Sequence, residues 1–340
     1  GLRWAVFSAA AAAAMIAVAS PWLARYLVLS DPWPVLLAGL IVATGLIVPV
    51  SLGVFQGLQL FPAFGTLLGF SGVLRLAAGV VLVSLGAGLL GALGASVVSS
   101  VLILAGSLVL LARRLENSRA ARTKAVPLPA GRLRSVVPVA AGMLLFAILT
   151  NLDMILVKHF FTPDEAGRYA GAAILGRALL YFPTAVSMAL YPMVAEAETL
   201  RGDSRIILRR GIRLTALLTA AALVPYILFP ELLLRILLGP AFVSAAPFVR
   251  LFGLAMAPFT MIFVLLNFQL ARRRAAFLVP FVLACLVEFG LITLFFHQRM
   301  EHVLMVVAGV GAVLLLWAFV GTAEGERPEV SEGLGADEGV

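Results

Sequence analysis

Asn151-Leu152-Asp153-Met154-Ile155-Leu156-Val157-Lys158-His159-Phe160-Phe161 leads into Thr162-Pro163-Asp164-Glu165-Ala166-Gly167-Arg168-Tyr169, and a second apolar stretch then continues to Met193. Two greasy segments are thus joined by a short polar turn. A helix that crosses hydrocarbon needs about 20 mainly apolar residues, and the run on each side of this turn reaches that length. Asp153, Lys158 and Arg177 lie inside or at the mouth of these runs. An ionisable group at membrane depth is expensive, so the few polar groups of this stretch are the first place to look for function.

The rest of the chain reads the same way. It has 340 residues, 62% hydrophobic and 12% charged, far greasier than an ordinary soluble domain. The apolar runs are continuous rather than alternating, which argues against a transmembrane barrel. The expected fold is all-α, a polytopic transmembrane helical bundle. Ten spans are predicted, over residues 4–20, 34–56, 63–85, 88–111, 135–157, 170–193, 212–234, 247–270, 275–296 and 303–320. The first is short and is expected to continue past Pro21 toward Leu29 as a kinked helix.

Residues 112–134 form the longest polar interruption, with Pro127 and Pro129. They predict a four-helix N-terminal lobe over 1–111, a basic linker over 112–134 and a six-helix C-terminal lobe over 135–320. The acidic, Gly-rich tail over 321–340 is expected to be disordered. A net charge of +8 suggests nucleic acid in a soluble protein. Here Arg and Lys gather on one side of the spans instead. Arg119, Arg122 and Lys124 of the linker, Arg205, Arg209 and Arg210, and Arg272 to Arg274 all fall on that side. The bias marks the cytoplasmic face, puts both chain ends there and removes nucleic acid as a partner. The single Cys285 sits in an apolar run and forbids an internal disulfide. No cleavable signal peptide is evident, and the chain begins with Gly1.

A weak internal repeat is present. Phe55-Gln56 precedes Ala63-Phe64 at the same spacing as Phe268-Gln269 precedes Ala276-Phe277. Both pairs bridge the end of one span and the start of the next, six helices apart. Transporters are commonly built from such repeats.

Several motifs resemble bacterial polysaccharide flippases of the multidrug, oligosaccharidyl-lipid and polysaccharide flippase superfamily. They are Asp153 in its span, Thr162-Pro163-Asp164-Glu165-Ala166-Gly167-Arg168-Tyr169 in the turn, Ala172-Ala173-Ile174-Leu175-Gly176-Arg177, and the closing Ala189-Leu190-Tyr191-Pro192. Gln56-Gly57-Leu58-Gln59 and Leu237-Leu238-Gly239-Pro240-Ala241-Phe242 extend the match. The resemblance implies two six-helix lobes around a central cavity that opens alternately to each side of a bacterial plasma (inner) membrane. It implies a lipid-linked oligosaccharide as cargo, and the bilayer and polysaccharide assembly proteins as partners. Ten spans fall two short of that pattern, so an upstream extension encoding two further spans is expected.

Arg177 is the sharpest candidate. Tyr181 and Thr184 follow it at i+4 and i+7, giving one polar helical face. A guanidinium there suits a phosphate, which it grips bidentately; an ion pair to Asp153 explains it equally well. Asp153 is read as a coupling site for a proton or cation, or as a structural cap and ion-pair partner, with the structural role favoured. Arg75 is a deeper cavity candidate, and Arg250 is expected to snorkel to the outer surface. Glu288 lacks an obvious local partner, and an intramembrane carboxylate is a functional candidate by default. Asn267 and Gln269 read as interhelical hydrogen-bonders.

Enzyme signals are missing. There is no Gly-Lys phosphate loop and no Asp-Xaa-Asp pair. His159, His297 and His302 lack ligand spacing. No catalytic residue, metal or cofactor is expected. The alternatives are a cation-coupled drug efflux carrier of the same superfamily and, in another class, a membrane glycosyltransferase or polymerase.

Overall fold

Backbone N–H and C=O groups find no water in hydrocarbon and must bond within their own segment. The computed structural model meets that demand with helices and shows no strand among the residues it describes, which are 2–58, 60–117, 132–181, 183, 186, 204–271 and 277–324. Among them, seven helices are long and apolar enough to cross a membrane, and Leu278–Leu294 is a shorter apolar one. The protein is a polytopic helical membrane protein. It divides into two compact units, Gly1–Pro127 and Leu128–Val340.

The first unit contains α1 (Leu2–Tyr26), α2 (Trp33–Gly57), α3 (Phe61–Leu82), a π turn (Val83–Ala87) and α4 (Gly88–Asn117). α1 packs on α2, α2 on α4 and α4 on α3. α1 does not stop at residue 20. It continues past Pro21 to Tyr26, as the sequence led us to expect, and the missing Pro21 N–H leaves the Ala17 carbonyl without its helical donor. The Ser20 hydroxyl donates to that carbonyl at 2.8 Å, which is how a membrane helix tolerates proline.

The candidate stretch Phe61–Arg113 is 53 residues long, far more than one crossing needs. It folds back on itself where the boundary between spans 63–85 and 88–111 was expected. Gly86 has φ +89° and Gly88 φ +49°, a left-handed backbone that costs other residues about 1–2 kcal/mol each. The reversal brings α3 against α4, close enough that a Cβ on Gly79 would lie 3.7 Å from the Ala95 methyl.

The second unit contains α5 (Arg132–Leu149), α6 (Leu152–Phe160), α7 (Pro163–Ala178), α8 (Ser204–Leu228), α9 (Pro230–Leu237), a 3-10 turn (Pro240–Ala245), α10 (Ala246–Ala271), α11 (Leu278–Leu294) and α12 (Met300–Glu324). α10 is its axis and packs against α7, α8 and α12. Phe252, Met256 and Phe259 of α10 are fully buried. Lipid is as apolar as leucine, so close packing holds such helices together rather than exclusion of water. Gly176 shows how close: a Cβ there would sit 2.5 Å from that of Phe252.

Five predicted boundaries are corrected. The span 135–157 is broken at Thr150–Asn151 into α5 and α6. The helix expected from residue 170 begins at Pro163, because Thr162 caps it, and ends at Ala178; residues beyond 181 lie mostly outside those described. The span 212–234 divides at Phe229, where Pro230 starts α9. The linker is shorter than 112–134, since α4 runs to Asn117 and α5 begins at Arg132. At the other end α12 continues into the expected tail as far as Glu324, and the rest of 321–340 lies outside the described residues.

Candidate functional site

The break between α5 and α6 builds the site. Asn151 leaves helical geometry with φ −134°. Its side-chain amide donates to the Ala147 carbonyl at 2.8 Å, and the Thr150 hydroxyl donates to Phe146 O at 2.8 Å. These side chains serve the last carbonyls of α5, groups that a helix end leaves without partners. Thr150 O itself is left to an outside donor. Arg177 Nε of α7 supplies it at 2.7 Å.

Asp153 lies in the first turn of α6, where the positive end of the helix dipole favours an anion. Its side chain is 1% exposed. Oδ1 accepts from Arg177 Nη2 at 2.6 Å, and Oδ2 accepts from the Tyr169 hydroxyl at 2.8 Å. Tyr169 is itself fully buried, edge-on to Phe252 at 4.9 Å. The Arg177 guanidinium lies over the same ring, 5.8 Å from its centroid. One aromatic side chain of α10 therefore floors the whole cluster. Breaking a buried pair of this kind costs about 3–5 kcal/mol, because it strands a charge.

Arg177 is not entirely sealed, since 16% of its side chain is exposed. A guanidinium has five N–H donors, and among the described residues the bonds to Thr150 O and Asp153 engage two of them. The remaining donors give it capacity for an anion.

Glu288 of α11 is also fully buried, and neither carboxyl oxygen has a hydrogen-bond partner among the described residues. It lies within electrostatic reach of both Asp153 and Arg177. The break between α5 and α6 is therefore flanked by two acids and one base.

Tyr181 follows the end of α7 and is 78% exposed. Thr184 lies outside the described residues. Arg250, at the start of α10, is exposed and donates from Nε to Ile227 O at 3.2 Å. With Glu231 and Arg235 it lines a polar cleft of about 620 Å3. Arg75 belongs to the first unit and is exposed on α3. Asn267 donates within its own helix, to Phe263 O at 2.8 Å, rather than across to a neighbour. Gln269 is buried, with Oε1 unpartnered among the described residues.

The turn that orients α7 follows the apolar stretch that ends at Phe160. The Thr162 hydroxyl and backbone N–H both donate to Glu165 Oε2, at 2.7 and 3.0 Å, and Glu165 N–H returns to the Thr162 hydroxyl at 3.4 Å. This capping box satisfies free N–H groups of the first turn. Thr162's hydroxyl, then its backbone N–H, hold the Glu165 carboxyl below the ordinary glutamate range. Asp164 and Arg168 pair alongside.

Two members of the cluster were not among the candidate site residues. Tyr169 stands eight residues before Arg177, a spacing that returns to the same helical stripe. The freed Thr150 carbonyl was signalled by Thr150-Asn151 followed by an acid, a helix-start pattern inside an apolar run.

Residues 2–198, more than half of the chain, match the family model described as polysaccharide biosynthesis protein. No curated protein and no solved structure matches the chain. The family is in general one of flippase-type transporters. A helical membrane protein with this cluster between α6 and α7, and with that match across both, belongs to the polysaccharide biosynthesis protein family of the multidrug, oligosaccharidyl-lipid and polysaccharide flippase superfamily.

Proposed function

We propose that the protein is a carrier that moves a polyprenyl-diphosphate-linked oligosaccharide across a bacterial plasma membrane by alternating access. The observation that supports this most is Arg177, held at membrane depth by Asp153 and Thr150 O with donors to spare. A diphosphate presents neighbouring phosphoryl oxygens that the planar guanidinium grips bidentately. In this reading Asp153 holds Arg177 ready while no cargo is bound, and the diphosphate replaces part of that hold. Arg250 of the second unit and Arg75 of the first then serve as further anion contacts, with Tyr181 and Thr184 as polar contacts. The charge bias supports cytoplasmic chain ends.

The test is reconstitution of the full-length protein in proteoliposomes with a polyprenyl-diphosphate oligosaccharide. Its transfer between leaflets, lost in Arg177→Ala and partly regained in Arg177→Lys, is the expected result. Transport of a cationic dye with no movement of the lipid-linked sugar would instead establish the drug-efflux reading.

A further inference from the structure

We propose that Glu288 is a proton-binding site, carrying one exchangeable proton that keeps the buried Asp153–Arg177–Tyr169 cluster electrically neutral. The charge count carries the argument. Asp153 and Arg177 cancel, and the Tyr169 hydroxyl donates as a neutral group. An ionised Glu288 would add one negative charge at 0% exposure, with both oxygens unpartnered among the described residues and Asp153 nearby. A stranded charge of that kind costs several kcal/mol or more at membrane depth. A proton on one oxygen removes the charge with no change of shape.

Among the described residues the neighbours offer no other compensation. α11 packs against α5, α6 and α12. Along α5 the only titratable residues are Arg132 and Arg134 in the first turn. α12 has Glu301 and His302 in its first turn and then none before Glu324. α6 brings Asp153, with Lys158 and His159 in its last turn. Cys285 lies one turn before Glu288 on α11 itself. The base within reach is Arg177, and Asp153 already holds it.

The proton therefore leaves in only two ways: Arg177 swings from Asp153 toward Glu288, or water enters. Either event opens the cluster that joins α6 to α7. Proton exchange and helix movement are in this way one event. The step is an acid–base exchange: the Glu288 O–H bond breaks and water accepts the proton. Coupling of that exchange to cargo rests on the carrier reading above, while the presence of the proton does not.

Infrared spectroscopy of the purified full-length protein tests the proton. At neutral pH the wild type should show a protonated-carboxyl C=O band that shifts with isotope-labelled glutamate, vanishes in Glu288→Gln and survives in Asp153→Asn. Absence of the band, or its persistence in Glu288→Gln, overturns the site. The labelled wild type decides the matter even if the variant fails to fold. Proteoliposomes bearing a pH gradient test the coupling. Lipid-linked sugar transfer should respond to the gradient in the wild type and lose that response in Glu288→Gln. A full response in the variant defeats the coupling and leaves the carrier reading standing. No transfer by either protein defeats the carrier reading, with the infrared band still deciding the proton.

Discussion

The two units are equally greasy and are built in opposite ways. In the first, α3 has no buried residue, and the apolar stretch of α1 is only 11% buried within the protein. In the second, the stretch containing α10 is 61% buried. Its polar contacts differ as well. The first unit shows a Ser107 hydroxyl donating to Ser51 at 3.0 Å, a neutral bond between α4 and α2. The second buries an acid, a base and a phenol in one cluster. Apolarity does not tell inside from outside in a bilayer. Small residues that admit a neighbour, and polar groups that find one, make the difference.

The largest effect should separate the arginines of the two units. Asp153→Ala and Arg177→Ala are each expected to cost about 3–5 kcal/mol, read as a lower thermal unfolding midpoint in detergent. The double variant should lose less than the sum, because neither partner is then stranded. Arg75→Ala, on an exposed face of α3, should leave the midpoint nearly unchanged. Equal losses in the two units would erase the contrast. Normal export by Arg177→Ala would remove its place in the carrier.

A smaller effect should distinguish glycines. Gly176→Ala places a Cβ against Phe252 and should cost about 1–3 kcal/mol. Gly69→Ala on α3 meets nothing within 4 Å and should be neutral or stabilising by up to about 1 kcal/mol through helix propensity. The same pair of melting curves checks both.

The smallest effect concerns the cap of α7. Glu165 titrates below the ordinary glutamate range in the folded protein, because Thr162 bonds its charged form. A depressed value contributes stability above the ordinary range and loses it as pH falls through the lower folded value. The melting midpoint should therefore hold from neutral through mildly acidic pH and drop only below the ordinary glutamate range. Thr162→Ala should lower the midpoint slightly and flatten that drop. An unchanged acid limb in Thr162→Ala would show that another group sets it.

The spans were legible because about 20 apolar residues in a row have few other uses. The turn at Gly86–Gly88 was legible because glycines mark it. The break at Thr150–Asn151 was not, since apolar residues flank it on both sides and the run reads as one helix. The early start of α7 lay in Thr162 and Glu165, a capping pair whose polar residues read instead as loop. Asp153 and Arg177 stood out as charges in apolar runs, and their pairing was one of two readings. Tyr169 did not stand out, because a tyrosine near a span end commonly sits at the interface. Glu288 was flagged for lacking a local partner in sequence, and it lacks one among the described residues too.

The hairpin of α3 and α4 has a consequence for biosynthesis. Its 53-residue, mainly apolar stretch offers the insertion machinery no polar loop at which to stop or reorient. The reversal is written into two left-handed glycines rather than into charge. The two helices should thus leave the translocon together, as one preformed wedge whose ends emerge on the same face. A stiffer residue at Gly86 would then act earlier than any unfolding measurement can see: it would misroute the nascent chain while the ribosome is still attached.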